Sequence, residues 1–376
     1  MKKGWEIKKL GDVCRFINGK AYSKDELLAE GKYLVLRVGN FFTNNHWYYS
    51  DLELEDDKYC DNGDLLYAWS ASFGPRIWAG DKVIYHYHIW KVIPNIEIIS
   101  KEFLFQLLEW DMEQIKSAHG TGTTMMHVGK GSMENRLAPI PPLSDQKQII
   151  SILDDALAAI DQAKENLQRN LQNAKELFQS ELNNVFTNKG NGWVDKKLGS
   201  CFKLKSGDMM TSKMMKVNGK YSVYGGNGIS GMHDSYNLSG ENIIIGRVGA
   251  LCGNVRLVKE KIWLTDNAFQ VIDFQFDFDY SFLTYLLNFK DLRSAARQSA
   301  QPVISNSSLK DIVLQFPIKV QEQKKIVQQL DTLSIQTKNL ENIYQKKLDN
   351  LEELKKSILH KAFSGELNMK KVKDFA

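Results

Sequence analysis

The chain has 376 residues, 43% of them hydrophobic, and a formal net charge of +4. That is enough for two or three domains with real cores. No run of about 18 apolar residues occurs, which argues against a membrane-spanning helix, and Met1-Lys2-Lys3-Gly4-Trp5 lacks the apolar stretch of a secretory signal. Cys14, Cys60, Cys201 and Cys252 show no CxxC or Cys/His zinc spacing, so they read as free thiols of a reducing cytoplasm. The basic excess falls in the second half of the chain and points only mildly to a polyanion partner.

Taken in order, the chain opens with Gly4-Trp5-Glu6-Ile7-Lys8-Lys9-Leu10-Gly11. Strands are expected at 33–38, 64–69, 82–85 and 89–93, where β-branched and aromatic residues cluster. A short helix is expected at 101–108, then a polar loop around 118–124. An extended proline segment, Leu137-Ala138-Pro139-Ile140-Pro141-Pro142, disfavours helix and stops just ahead of the next element. That element is a long helix, Asp145 to Phe186. It holds no Pro or Gly, and its apolar residues recur at threes and fours: Ile149, Leu153, Ala156, Ile160, Ala163, Leu167. At 42 residues it would span roughly 63 Å at ~1.5 Å per residue, the length of a spacer.

After a polar Gly/Asn linker the pattern starts again. Gly192-Trp193-Val194-Asp195-Lys196-Lys197-Leu198-Gly199 repeats the opening at an offset of 188, and Gly207 falls on Gly19. Strands are expected at 242–246 and 268–272, a helix at 280–287, and an extended segment at 314–317. A second long helix, Glu322 to Phe363, repeats the first at an offset of 177: Leu153 matches Leu330, Asp154 matches Asp331, and Phe186 matches Phe363. The chain is thus two units, each a globular domain followed by a long helix. The boundaries expected are 1–144, 145–190, 191–321 and 322–376. The middles diverge, and Asn40 to Trp47 has no visible twin in the second unit. The fold expected is α/β (α+β): two globular domains separated by a pair of long antiparallel coiled-coil helices, with an internal pseudo-twofold repeat.

These features resemble the specificity (S) subunit of type I restriction-modification enzymes, the HsdS family. The residues that carry the resemblance are Trp-x-x-Lys-Lys-Leu-Gly at Trp5 and Trp193, Pro-Leu-x-(Asp/Glu)-Gln-x-x-Ile from Pro142 to Ile149, and Leu359-His360-Lys361-Ala362-Phe363-Ser364-Gly365-Glu366-Leu367. The second unit inserts one residue before its glutamine, in Pro317-Ile318-Lys319-Val320-Gln321-Glu322. The resemblance implies two target-recognition domains, each reading half of a bipartite double-stranded DNA site. It implies a helical pair that sets the gap and docks two methyltransferase (M) subunits, with restriction (R) subunits joining through them. S-adenosylmethionine, ATP and Mg would be bound by those partners and none by this chain. The location implied is the bacterial or archaeal cytoplasm, associated with the nucleoid.

The residues themselves point away from catalysis. Adenine methyltransferases need an (Asn/Asp)-Pro-Pro-(Tyr/Phe) loop, whereas Ile140-Pro141-Pro142-Leu143 has no amide or carboxylate. Gly129-Lys130-Gly131-Ser132 lacks the leading glycine of a phosphate-binding loop. Gly226-Asn227-Gly228-Ile229-Ser230-Gly231 matches GxGxxG, but the residues after it do not start a helix, so it reads as a turn or DNA-facing loop. His86 and His88 share a face two residues apart. No third ligand completes a metal site, and a structural role is favoured over metal binding.

Base and phosphate contacts need Arg, Lys, amides or hydroxyls on loops. The candidates in unit one are Arg37, Asn40, Asn44, Asn45, His46, Ser70, Arg76, Thr121, Thr123 and Lys130. In unit two they are Lys205, Lys213, Tyr224, Asn227, Arg247, Asn254, Arg297, Gln298, Gln301 and Asn306. Trp47, Tyr48, Tyr49, Trp69 and Trp78 are able to stack on bases, although strand aromatics more often fill cores. Two other classes remain as alternatives: a protein scaffold that never touches DNA, and a fused nucleic-acid methyltransferase.

Overall fold

Strands with unbroken apolar runs need cover on both faces, because successive side chains point opposite ways. Leu65–Ala68 and Asn242–Gly246 are such runs, and they sit inside their sheets. Leu65 and Tyr67 enter one core while Leu66 and Ala68 enter another. In the same way Ile243 and Ile245 enter one core and Ile244 the other. Each globular part therefore has three layers: helices, a central sheet, and a second sheet.

A computed structural model of the chain describes residues 3–42, 45–70, 73–119, 127–297 and 302–367. The chain divides into two units, residues 1–167 with 347–376, and residues 168–346. In unit one the central sheet is antiparallel, in the order Cys14–Asn18, Ile89–Pro94, Leu65–Ala68, Gly74–Ile77. Its second sheet runs Tyr48–Ser50, Tyr33–Leu36, Val83–Tyr85, Tyr59–Cys60, and within it Tyr33–Leu36 and Val83–Tyr85 are parallel. Unit two repeats this. The central sheet is Lys203–Ser206, Ala268–Ile272, Asn242–Gly246, Val255–Val258, and the second is Gly228–His233, Tyr221–Gly225, Ile262–Leu264, with the last two parallel. A separate antiparallel ribbon closes each unit: Glu6 faces Ile140 in one, and Trp193 faces Pro317 in the other.

The matching glycines have one physical reason. A Cβ on Gly19 would collide with the carbonyl of Tyr85, and a Cβ on Gly207 with that of Leu264. Both glycines let the chain cross closely from the central sheet to the second one, with Lys20 N donating to Tyr85 O and Asp208 N to Leu264 O, each at 3.0 Å.

The structure departs from the expected elements in several places, and strands such as Cys14–Asn18, Gly74–Ile77, Lys203–Ser206 and Val255–Val258 are not among those expected at all. The strand expected at 33–38 ends at Leu36, and a short helix, Val38–Phe42, begins where Arg37 leaves the sheet. The helix expected at 101–108 continues to His119, since Ile115 and Met112 keep its apolar face against the core and the buried Asp111 carboxylate is held by Arg136 at 2.6–2.8 Å. The segment Tyr221–His233, not expected as strand, is a hairpin. The GxGxxG string lies at its turn, where Gly228 has φ +104° and Gly225 pairs with Gly228. That hairpin is the counterpart of Tyr33–Leu36 and Tyr48–Ser50. The stretch without a visible twin is thus a longer connection at the place of the Gly226-Asn227 turn.

The long helices run from Leu143 to Thr187 and from Val320 to Ser364. They are more than links, because their ends belong to the cores. In unit one Ile149 and Leu153 share a core with Leu359, Ala362 and Phe363, and further along Lys164 pairs with Glu352 at 2.6 Å, so the two helices run antiparallel. In unit two Leu182, Phe186 and Leu330 are buried together, and Gln329 Nε2 donates to Glu181 at 2.6 Å.

Two fully buried glutamines tie each helix start to its domain. Gln146 Nε2 donates to Pro141 O (2.9 Å) and Ile98 O (2.8 Å), and its Oε1 accepts from Ser100 N (2.9 Å). Gln323 Nε2 donates to Pro317 O (2.9 Å) and Asp277 O (3.3 Å), and its Oε1 accepts from Asp279 N (2.8 Å). Ser100 and Asp279 in turn cap the following helices. The residue inserted after Pro317 is absorbed without changing this clamp. Gln323→Leu would strand a buried N–H and two carbonyls, so it is expected to cost about 2–3 kcal/mol, read as a lower urea midpoint. The exposed neighbour substitution Lys324→Ala should stay within about 0.5 kcal/mol.

Candidate nucleic-acid interface

Parallel neighbours end on the same side of a sheet, so the loops that follow them converge. In unit one the chain leaves the parallel pair at Arg37 and His86, and His86 N donates to Leu36 O at 2.9 Å. In unit two it leaves at Gly225 and Thr265, and Thr265 N donates to Tyr224 O at 2.9 Å. A cavity of about 430 Å³ opens at this place in each unit. The carboxyl ends of parallel strands are where polar groups from separate loops meet most readily.

The linings differ. Unit one presents Arg37, Asn40, His46, His86, Tyr87 and His88. The Arg37 guanidinium lies 5.0 Å from the Tyr48 ring centre, and Asn40 Nδ2 donates to His46 O at 2.7 Å. The His86 and His88 rings are 4.9 Å apart. His88 rests edge-on against Trp69 at 4.9 Å, and Trp69 Nε1 donates to Tyr87 O at 2.7 Å. Burial, then His88 and Arg37, push the His86 imidazole down to about 4, so it is neutral at pH 7. Burial, then His127 and Arg37, also hold His88 below the usual imidazole range. Unit two presents the polar side chains of Thr211, Ser212, Asn227, Ser230, Thr265 and Asn267, all hydroxyls or amides, beside apolar Met210, Met215, Ile229 and Val248. Asn227 Oδ1 accepts from Leu251 N at 2.8 Å, which pins the neighbouring loop to the hairpin turn.

Of the sequence candidates, Arg37, Asn40, His46 and Asn227 line these cavities. Asn45 is exposed just before His46, and Arg76 stands over the Phe42 ring at 5.0 Å, against the same short helix. Ser70 is buried in a bridge to His127. Lys130 is exposed on Lys130–Glu134, paired with Glu134 at 3.7 Å and outside the cavity lining. In unit two Lys213 is exposed between cavity residues Ser212 and Met215. Arg247 donates to Asp266 O at 3.3 Å and supports the loop that carries Asn267. Tyr224 is a core side chain whose hydroxyl donates to Glu260 at 3.2 Å. Lys205 is exposed on the central sheet opposite Gln270. The Asn254 carbonyl accepts from Gly246 N at 3.0 Å. The Asn306 amide donates to Leu204 O at 3.2 Å, and the Arg297 backbone pairs with Val303. Asn44, Thr121, Thr123, Gln298 and Gln301 lie outside the described residues.

His86, His88, Thr265 and Asn267 were not among those candidates. Their signal was present but faint: a polar residue directly after a three-residue apolar strand, Val83–Tyr85 or Ile262–Leu264. Among the described residues no three His, Cys, Asp or Glu side chains gather as metal ligands, and no helix is long and apolar enough to cross a membrane.

The family model described as type I restriction modification DNA specificity domain matches residues 2–172 and 190–350. The chain belongs to that family. The MjaVIII specificity subunit of Methanocaldococcus jannaschii is 25% identical over 97% of this chain and 93% of its own length. The EcoBI specificity subunit of Escherichia coli is 24% identical over 47% of this chain and 38% of its own. In fold, a chain from a structure of type I R-M complex assembly and conformational transition superposes with a TM-score of 0.79 at 19% identity, covering 98% of this chain and 99% of that one. The HsdS subunit from Thermoanaerobacter tengcongensis gives 0.57 at 18% identity, covering 98% of each. Specificity subunits of this family are non-catalytic, and catalysis lies on partner subunits.

The electrostatics of the first cavity carry a prediction. NMR titration of the free protein should place the His86 midpoint near 4. Arg37→Gln should raise both the His86 and His88 midpoints by removing a positive charge. A His86 midpoint near 6.5 would show instead that its ring is solvated.

Proposed function

We propose that the two cavities are the DNA-reading sites of this specificity subunit, one for each half of a bipartite sequence. The observation that carries the reading is a shared position with a different lining. Both open at the carboxyl ends of equivalent parallel strands, but only the first has Arg and His in its lining, while the polar side chains of the second are hydroxyls and amides. A duplicated scaffold that keeps the place and varies the chemistry suits two different target blocks. Asn45, Arg76 and Lys213, exposed beside the cavities, would hold phosphates or widen the contact.

In the same reading, the helical pair sets the gap between the blocks and docks two methyltransferase subunits, with restriction subunits joining through them. A groove of about 540 Å³ between the helices in unit two, lined by Leu177, Glu181, Lys325, Gln329, Leu333 and Gln336, supports the docking role. S-adenosylmethionine, ATP and Mg belong to those partners, and the complex works on DNA in the cytoplasm.

Methylome sequencing of cells carrying the chain with its methyltransferase partner, against cells with the partner alone, tests this. A new adenine-methylated motif of two short blocks with a fixed gap is expected. Arg37→Gln should alter or weaken one block and Asn267→Asp the other. A motif unchanged by both substitutions would move the reading sites elsewhere.

A further inference from the structure

The first cavity is unusual in its charge. Its side chains include one guanidinium and three imidazoles, and among the described residues no Asp or Glu lines it. The charges acting on His86 come from His88 and Arg37, and those acting on His88 from His127 and Arg37, all of them cationic or able to become so. Tyr22 stacks on His86 at 6.1 Å, while Trp69 covers His88. Glu26, whose charge acts on Tyr22, is held by Lys20 at 2.8 Å.

The two imidazoles are not equivalent. His86 Nδ1 accepts from the His88 backbone N at 3.4 Å, which leaves the proton of the neutral ring on Nε2 as a donor. Among the described residues His88 makes no such acceptor bond; it lines the cavity against Trp69 and feels the Arg37 charge, so its ring is the one able to gain a proton. Arg37 is oriented by its stacking on Tyr48. The result is a set of donors looking for an acceptor.

We propose that this cavity binds an acceptor-only group of the target DNA, either phosphodiester oxygens or the O6/N7 edge of a guanine, through Arg37 and neutral His86, and that His88 takes up one proton from solvent as the group binds. This rests on the cavity being a DNA-reading site and adds the chemistry it reads. The depressed basicity of free His88 is what makes the uptake visible. Between the pKa of free His88 and its higher pKa in the complex, each unit fall in pH tightens binding by up to about tenfold. Above the bound pKa, His88 is neutral in both states and the dependence vanishes. Among the described residues no histidine lines the unit-two cavity, so that cavity contributes none.

The test is DNA affinity of the assembled methyltransferase complex from pH 6 to 8 at constant salt, on the motif found by methylome sequencing. Wild type should bind tighter as pH falls. His88→Gln should bind more weakly at pH 6 and lose that slope. His86→Gln should weaken binding but keep it, and Asn267→Ala, in the other cavity, should keep it too. Unchanged melting temperatures for the free variants keep loss of fold out of the comparison. A flat wild-type profile, or a His88→Gln profile as steep as wild type, overturns the proposal while leaving the cavity as a reading site. If Arg37→Gln changes neither affinity nor methylated motif, the reading-site assignment itself falls. The source of the acceptor shows in the same variants. A guanine edge predicts relaxed specificity at one position of one block, and a phosphate predicts uniformly weaker binding with a salt slope smaller by about 1.

Discussion

Everything in each unit depends on a sheet that must be covered on both faces. Leu65 to Ala68 and Ile243 to Ile245 leave no polar side for water, so one face takes helices and the other takes a second sheet. The second sheet then needs a crossing from the first, and that crossing needs Gly19 or Gly207, because no side chain fits between the backbones. The crossing lays Lys20 and Asp208 beside the ends of the parallel pair, which is where the cavities open.

The helices enter through the opposite face of the same sheet. Phe363 packs on Phe103 at 5.3 Å in unit one, and Phe186 on Phe282 at 5.6 Å in unit two. Each buried glutamine then binds three backbone groups at once: the proline strand before its helix, and two positions ahead of the packed domain helix. An amide has both a donor and an acceptor to offer, so Glu or Leu at that position could not make the same set. The central sheet is thus the common wall between a helix-bearing side, built alike in both units, and a cavity-bearing side whose lining differs between them.

That division explains why the two units look alike at their ends and unlike in their middles. Residues that meet the helices are constrained by packing, where a changed volume is felt directly. Residues at the cavities are held by fewer packing contacts, such as Asn227 on Leu251 or Arg37 on Tyr48, and their chemistry differs between the units. Unit one spends a longer connection there, with a short helix and the loop to His46, where unit two has the Gly226-Asn227 turn held by Asn227 on Leu251. The exchange of imidazole and guanidinium for hydroxyl and amide leaves the backbone course of the parallel pair unchanged.

The amino-acid order alone determined the repeat, the two long helices and the strands with unbroken apolar runs, such as Leu65–Ala68 and Asn242–Gly246, but not shorter or more polar strands such as Cys14–Asn18, Tyr48–Ser50, Lys203–Ser206 and Val255–Val258. Periodicity and glycine or proline placement are local, and they survive without knowledge of partners. It also determined the resemblance in the helix starts, since the glutamine and the proline lie close in the chain. It did not determine the two cavities. Arg37 and His86 are 49 residues apart, and Asn227 and Asn267 are 40 apart. Only the parallel pairing of two short strands brings each pair to one cavity. The same folding took Tyr224 out of the loops and into the core, and gave the Asn306 amide to a backbone carbonyl. Which polar side chains face outward together is decided by long-range strand pairing, and that pairing leaves no periodic trace in the sequence.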